Sequence, residues 1–169
     1  MNIKKVGVMI VILVLIVVAG YFAFFMNSFE KSSFESSLSI PLEGLTDEQA
    51  VQQFNESFVL YLLYSISVDS LHNTPFSQNK PSLVVSVGNE FFNAVVDEGK
   101  IYVYEGNLDN PDVIISTTAT EAVAMLRDKN HIIESFKSGK SSLSMEASKL
   151  TLVSKGYTNI YTELTGQDA

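Results

Sequence analysis

Hydroxyls, histidines and carboxylates are the side chains in this 169-residue chain that could do chemistry, because it has no cysteine. Without cysteine there is no thiolate nucleophile, no disulfide framework and no cysteine metal site. The densest hydroxyl cluster is Thr117, Thr118 and Thr120. A catalytic hydroxyl needs a base within reach, which the neighbouring sequence does not supply, and these positions suit helix capping instead. Ser138-Gly139-Lys140-Ser141 resembles the end of a phosphate-cradling loop. That loop requires G-x-x-x-x-G-K-S/T after a strand and before a helix; here Glu134 occupies the first glycine position and the order of elements is reversed. The two histidines, His72 and His131, lie far apart, and only His131 has a carboxylate at helical spacing, Glu134. Two candidate ligands without a third point to a solvated helix face, not a metal site. Paired Asp97-Glu98 falls in a turn, where carboxylates solvate the chain. The expectation is a protein with no catalytic residue, no metal and no cofactor.

The elements that would position any site begin with "VGVMIVILVLIVVAGYFAFF", Val6 to Phe25, an uncharged run that follows Lys4 and Lys5. At about 1.5 Å per residue it is roughly 30 Å long as a helix, the thickness of a hydrocarbon core. It is longer than the h-region of a secretory signal and ends in the aromatic belt Tyr21, Phe22, Phe24 and Phe25. Residues 1–26 therefore read as a transmembrane anchor, its N-terminus held in the cytoplasm by the lysine pair and the remainder extracytoplasmic at the cell membrane. Residues 27–45, rich in serine and carrying Pro41 and Gly44, read as a juxtamembrane linker.

Eleven Lys and Arg stand against nineteen Asp and Glu in the whole chain; setting Lys4 and Lys5 aside leaves nine, hence ten net negative charges beyond the anchor. Nucleic acid is excluded as a partner on this balance, since it needs a basic face. From Thr46, three residues ahead of Gln49, a capping box opens a helix whose Val51, Phe54, Phe58, Tyr61 and Leu62 share one stripe. The sequon Asn55-Glu56-Ser57 falls inside that helix and carries little weight. "SLVVSV", "EFFNAVVD" and "KIYVYEG", parted by Gly88-Asn89 and Glu98-Gly99, predict an antiparallel meander. In the middle run Phe92, Ala94 and Val96 form the core face. "VIIS" is a fourth strand, and Thr118 with Glu121 makes a second capping box before "AVAML". A short helix ends at Gly139, "SSLSME" alternates with Leu143 and Met145 on one side, and a final helix from about Ala147 aligns Leu150, Val153, Tyr157, Ile160, Tyr161 and Leu164. The fold class is α+β.

The path through "SLVVSV", "DEGKIYVYEG", "NPDVIISTTATEAVAML" and "SFKSGKSSLSME" to the closing helix resembles the sterol carrier protein domain. The features that carry the resemblance are Asp112 opening a short strand, Thr118 capping a helix, the Ser138-Gly139-Lys140 turn, and the segment after Met145. Where the family often has Gly-Asp after the last strand, this chain has Glu146-Ala147-Ser148. The resemblance covers about residues 46–164, within a domain bounded at 46–166. It implies a helix, three antiparallel strands, a crossover to a fourth strand, helices, a fifth strand and a last helix, with a non-polar tunnel between sheet and helices that accepts lipids, sterols or fatty acids. The wall candidates are Phe54, Phe58, Tyr61, Leu62, Ile132, Phe136, Met145, Tyr157 and Ile160, with Ile133 adding apolar bulk. The alternative reading of the same residues is plain core packing. Two other functions stay open: an interaction module with a closed core, and a type IV pilin-like subunit, which Lys4-Lys5-Val6-Gly7 ahead of a long apolar run resembles. Against the pilin stand the missing early glutamate and Pro41; a mature start at Val8 would favour it.

Overall fold

The computed structural model describes residues 42–75 and 77–168. The anchor run Val6–Phe25 and the linker as far as Pro41 lie outside the described residues. No helix among the described residues is long and apolar enough to cross a membrane.

Five strands form one mixed sheet: β1 (Ser82–Val87), β2 (Glu90–Asp97), β3 (Lys100–Glu105), β4 (Val113–Thr117) and β5 (Ser142–Met145), in the order β3-β2-β1-β4-β5. The first three make the expected meander, with Leu83 opposite Ala94 and Ala94 opposite Val103. The β2–β3 turn places both Glu98 (φ 51°) and Gly99 (φ 76°) in the left-handed region, as a two-residue turn matched to strand twist demands. β4 then returns beside β1 in parallel, Leu83 against Val113, and β5 pairs antiparallel with β4. Alternation puts Leu83, Val85, Phe92, Ala94, Val96, Ile101, Val113 and Ile115 on one face, all buried. The helices cover that face. This is the element order that the sterol-carrier resemblance implies.

The helices are shorter and more numerous than the sequence periodicity predicts. The first splits into α1 (Asp47–Gln52) and α2 (Glu56–Ser65). Thr46 and Gln49 make the full capping box on α1, and Asn55 caps α2 by accepting from the Ser57 N–H at 2.9 Å. Asn55 thus lies at an exposed break, not in mid-helix, because a short side chain that accepts from the backbone two residues on competes with helix continuation. The packed unit reaches back to Leu42, which is buried in the core, while Arg127 donates to the carbonyls of Leu42 and Leu45.

Between β4 and β5 run α3 (Ala119–Arg127) and α4 (Lys129–Lys137), capped by Thr118 and Asp128. The Thr118 hydroxyl accepts from the Glu121 N–H at 3.2 Å. The Glu121 side chain turns to His131 Nε2 at 2.7 Å, so the second capping box is only half made. After β5, the expected last helix is two, α5 (Lys149–Lys155) and α6 (Tyr157–Thr165), broken at Gly156 with φ 91°. That break rotates the stripe: Tyr157, Ile160 and Leu164 are buried, whereas Leu150 and Val153 face solvent. Ile133 also faces outward.

β3 is the outermost strand, and the buried Tyr64 of α2 meets it: the Ile101 N–H donates to the Tyr64 hydroxyl at 3.3 Å. Burial pushes the Tyr64 hydroxyl above its usual pKa, although the Ile101 hydrogen bond works the other way.

Candidate functional site

The last third of the domain builds a groove at the other edge of the sheet. The Ser138-Gly139-Lys140 turn, with Gly139 at φ 76°, reverses the chain out of α4 into β5. At the far end of β5, the N–H groups of Glu146 and Ala147 both donate to the Asp112 carbonyl, which holds the Glu146-Ala147-Ser148 corner. Ser148 then caps α5 by accepting from the Thr151 N–H. Between β5 and the α5–α6 pair lies an open groove of about 470 Å³. Leu143 and Met145 of β5, Ala147, Leu152 of α5 and Tyr161 of α6 give it an apolar lining, and Ser144, Lys149, Thr158 and Asp168 add polar groups. Its volume lies within the range of small-molecule sites, and an apolar wall with a few polar groups is their usual composition.

The wall candidates divide between core and groove. Phe58, Leu62, Ile132, Phe136, Tyr157 and Ile160 are buried within one continuous core cluster. Phe54 and Tyr61 are half-buried against it, with Phe54 in ring contact with Phe58 at 5.2 Å and Phe92 at 6.1 Å. Met145 lines the groove, beside Leu143, Ala147, Leu152 and Tyr161, which were not among the candidates. The signal that could have found them is positional: β5 is an edge strand, so its inward side chains are shielded on one flank only.

Two buried polar clusters lie outside the groove. Asp112, immediately before β4, receives Lys155 Nζ at 2.8 and 3.0 Å, the Ser82 N–H at 2.8 Å and the Tyr157 hydroxyl at 3.2 Å. Lys155, fully buried, gives its remaining contact to the Lys80 carbonyl at 2.9 Å. Burial drives the Tyr157 hydroxyl far above its usual pKa, and the Asp112 charge and hydrogen bond add to this. Such a group neither donates a proton readily nor meets a substrate. The second cluster is a hydroxyl chain from Ser135 to Ser141 at 2.7 Å and from Ser141 to Thr117 at 2.8 Å, tying α4 and the start of β5 to the end of β4. Of the threonines considered as nucleophiles, Thr118 is a cap and Thr117 belongs to this chain.

The His131 reading changes in one respect. Its Nε2 meets Glu121 Oε1 at 2.7 Å and its Nδ1 stands 3.6 Å from Glu134, with Lys140 3.9 Å from the same Glu121 oxygen. Glu121 of α3 thus receives His131 of α4 and Lys140 of the turn that follows α4, which accounts for both neighbours of the histidine without a metal. Among the described residues no group of three or more His, Cys, Asp or Glu side chains could hold a metal ion. Asp97 closes β2 in an exposed pair with Lys80 at 2.6 Å.

No protein-family model matches the chain, and no curated protein matches it. Solved structures similar to it include the UbiJ-SCP2 ubiquinone synthesis protein, at 16% identity over 64% of this chain and 90% of that one, with a TM-score of 0.38. Another is sterol carrier protein 2 like 2 from Aedes aegypti, at 15% identity over 62% of this chain and 94% of that one, with a TM-score of 0.35. The assignment of the fold rests on the strand order and register given above.

Proposed function

We propose that this protein binds an apolar ligand, a lipid, sterol or fatty acid, without chemistry, and that residues 6–25 anchor it in the cell membrane with the α+β domain extracytoplasmic. The observation that carries the reading is the apolar-walled groove between β5 and the α5–α6 pair, on a domain with the sterol-carrier order of elements. Burial of Phe58, Leu62, Ile132, Phe136, Tyr157 and Ile160 in a continuous core supports placing the ligand in the groove and not in a tunnel beneath the sheet. The filled core equally favours the closed-core interaction module as the second reading.

A photoactivatable fatty acid and a photoactivatable sterol, added to membranes carrying the full chain, separate the two. Cleavage after Lys140, Lys149 and Lys155 isolates the β5 and α6 sides of the groove as separate peptides. Adducts on Leu143, Met145 or Tyr161, lost in Met145→Asp, are expected. Adducts confined to Val6–Phe25 would mean that the probe reports bilayer alone, and the closed-core reading would then stand.

A further inference from the structure

Three of the six large hydrophobic side chains exposed among the described residues share one place, the outer face of the β2–β3 ribbon. Phe91 is 44% exposed, Tyr102 44% and Tyr104 56%. Tyr102 and Tyr104 stand two residues apart on one side of β3, with Tyr104 opposite Asn93. Phe91 is two residues from Asn93 on the same side of β2, a diagonal that aromatic rings span. The helices pack on the opposite face of the sheet.

The edge beside these rings is open along part of its length. The Gly106 N–H donates to the Phe91 carbonyl of β2, whereas the Ile101 N–H turns the other way, to the Tyr64 hydroxyl. Main-chain groups alternate in direction along an antiparallel strand, so those of Ile101, Val103 and Glu105 all point away from the sheet. Tyr64 occupies the first N–H; those of Val103 and Glu105 meet no acceptor among the described residues. Charge then distinguishes this edge from the rest of the domain. Residues 82–111 carry Glu90, Asp97, Glu98, Glu105 and Asp109 against Lys100 alone. Asp97 is paired with Lys80 at 2.6 Å, and the other four carboxylates enter no ion pair among the described residues. Glu90 directly precedes Phe91 and Glu105 directly follows Tyr104, while Lys100 lies at the far end of β3.

We propose that β3, at residues 103–105, is a docking edge for a basic, extended segment of a partner protein, which joins the sheet as a sixth strand. Complementarity of charge selects this occupant. A second copy would bring the same carboxylates against their own kind, and nucleic acid or an anionic lipid surface is repelled as well. A cationic strand fits at each point: its main chain meets the outward groups of Val103 and Glu105, and its alternate side chains fall on the two faces of the sheet. Lys or Arg on the outer face passes over the rings of Tyr102 and Tyr104, and on the other face reaches Glu105. The Tyr64 hydroxyl stops the ladder short of Ile101, so the pairing is brief and leans on charge. β3 and β5 end the sheet on opposite sides, so this edge is filled independently of the groove.

The full-length chain in neutral detergent is titrated into the fluorescein-labelled peptide KVRVKVRV, with binding read by fluorescence anisotropy. Saturable binding is expected, weakened at least about fivefold by 0.5 M salt. Glu90→Gln with Glu105→Gln, which alters exposed side chains only, is expected to weaken it by a similar factor. N-methylation of alternate peptide residues keeps the charge and removes the ladder, and is expected to abolish binding. Val103→Pro should do the same from the protein side, because it deletes an outward N–H and leaves the bonds to β2 intact. Should that variant fail to fold, the methylated peptide carries the same comparison. Undiminished binding of the methylated peptide overturns strand addition in favour of charge alone. Equal binding of EVDVEVDV overturns charge selection, and no saturable binding to a chain with native circular dichroism overturns the site. Self-association without peptide, seen by analytical ultracentrifugation and lost in Tyr102→Ser with Tyr104→Ser, would assign the face to a second copy and overturn the proposal.

Discussion

Lys155→Met is the substitution that most directly interrogates how the end of this fold is held. Lys155 Nζ donates to both Asp112 oxygens and to the Lys80 carbonyl, and its side chain is 1% exposed. Methionine matches the length of the stem but leaves the Asp112 carboxylate, 9% exposed, with only the Ser82 N–H, a long Ser82 hydroxyl contact and the Tyr157 hydroxyl. Removing one member of a buried ion pair costs about 3–5 kcal/mol, since the other charge stays desolvated. Against a total of about 5–15 kcal/mol for a domain, this is a large fraction. At about 3–5 °C per kcal/mol for a domain of this length, the melting temperature should fall by roughly 10–25 °C. Urea and thermal unfolding followed by circular dichroism measure the loss. Asp112→Asn in the Lys155→Met background removes the orphaned charge while keeping an acceptor for Ser82, and should recover at least about 2 kcal/mol as a coupling energy. A Lys155→Met protein within about 1 kcal/mol of the parent, or single losses that simply add, would refute the reasoning.

Two other outcomes follow from the same geometry. Thr118→Ala deprives the Glu121 N–H of its acceptor and should cost about 1 kcal/mol in urea unfolding while lipid photolabelling persists; unchanged stability with labelling abolished would point to a catalytic hydroxyl. The Tyr157 hydroxyl is held above its usual range by burial, so the folded state keeps a proton that the unfolded chain loses near pH 10. Its contribution is complete below that pH and declines as pH rises through it, so the urea midpoint should drop from about pH 10 upward, and less steeply in Tyr157→Phe.

Strand boundaries were legible because β-branched runs here are separated by turn pairs: Glu98-Gly99 and Gly88-Asn89 mark the ends of "EFFNAVVD" to the residue. Helix lengths were not, because periodicity carries across a break whenever both halves bury a stripe. Asn55 and Gly156 were the local signs, the first as a residue that caps, the second as one that adopts φ 91° without cost. The alternation of Leu143 and Met145 was visible, but its consequence for the groove depended on β5 lying at the sheet edge, a fact of tertiary order. Asp112 was singled out as a strand opener; its partner Lys155 falls midway along the single last helix that the sequence predicts, and nothing local marks it. A pairing across 43 residues leaves no local trace.

The hydroxyl of Tyr64 has a consequence for life at high local density. β3 is an outermost strand bearing Tyr102 and Tyr104, exposed and without proline, the composition on which neighbouring molecules template intermolecular sheets. By accepting from the Ile101 N–H, Tyr64 occupies one of the donors an incoming strand would use, and it does so from within the core, where it cannot swing aside without opening the space between α2 and the sheet. A phenylalanine there would keep the packing and lose the plug. Copies at high local concentration meet more often, and this one oxygen then guards colloidal behaviour as well as the fold.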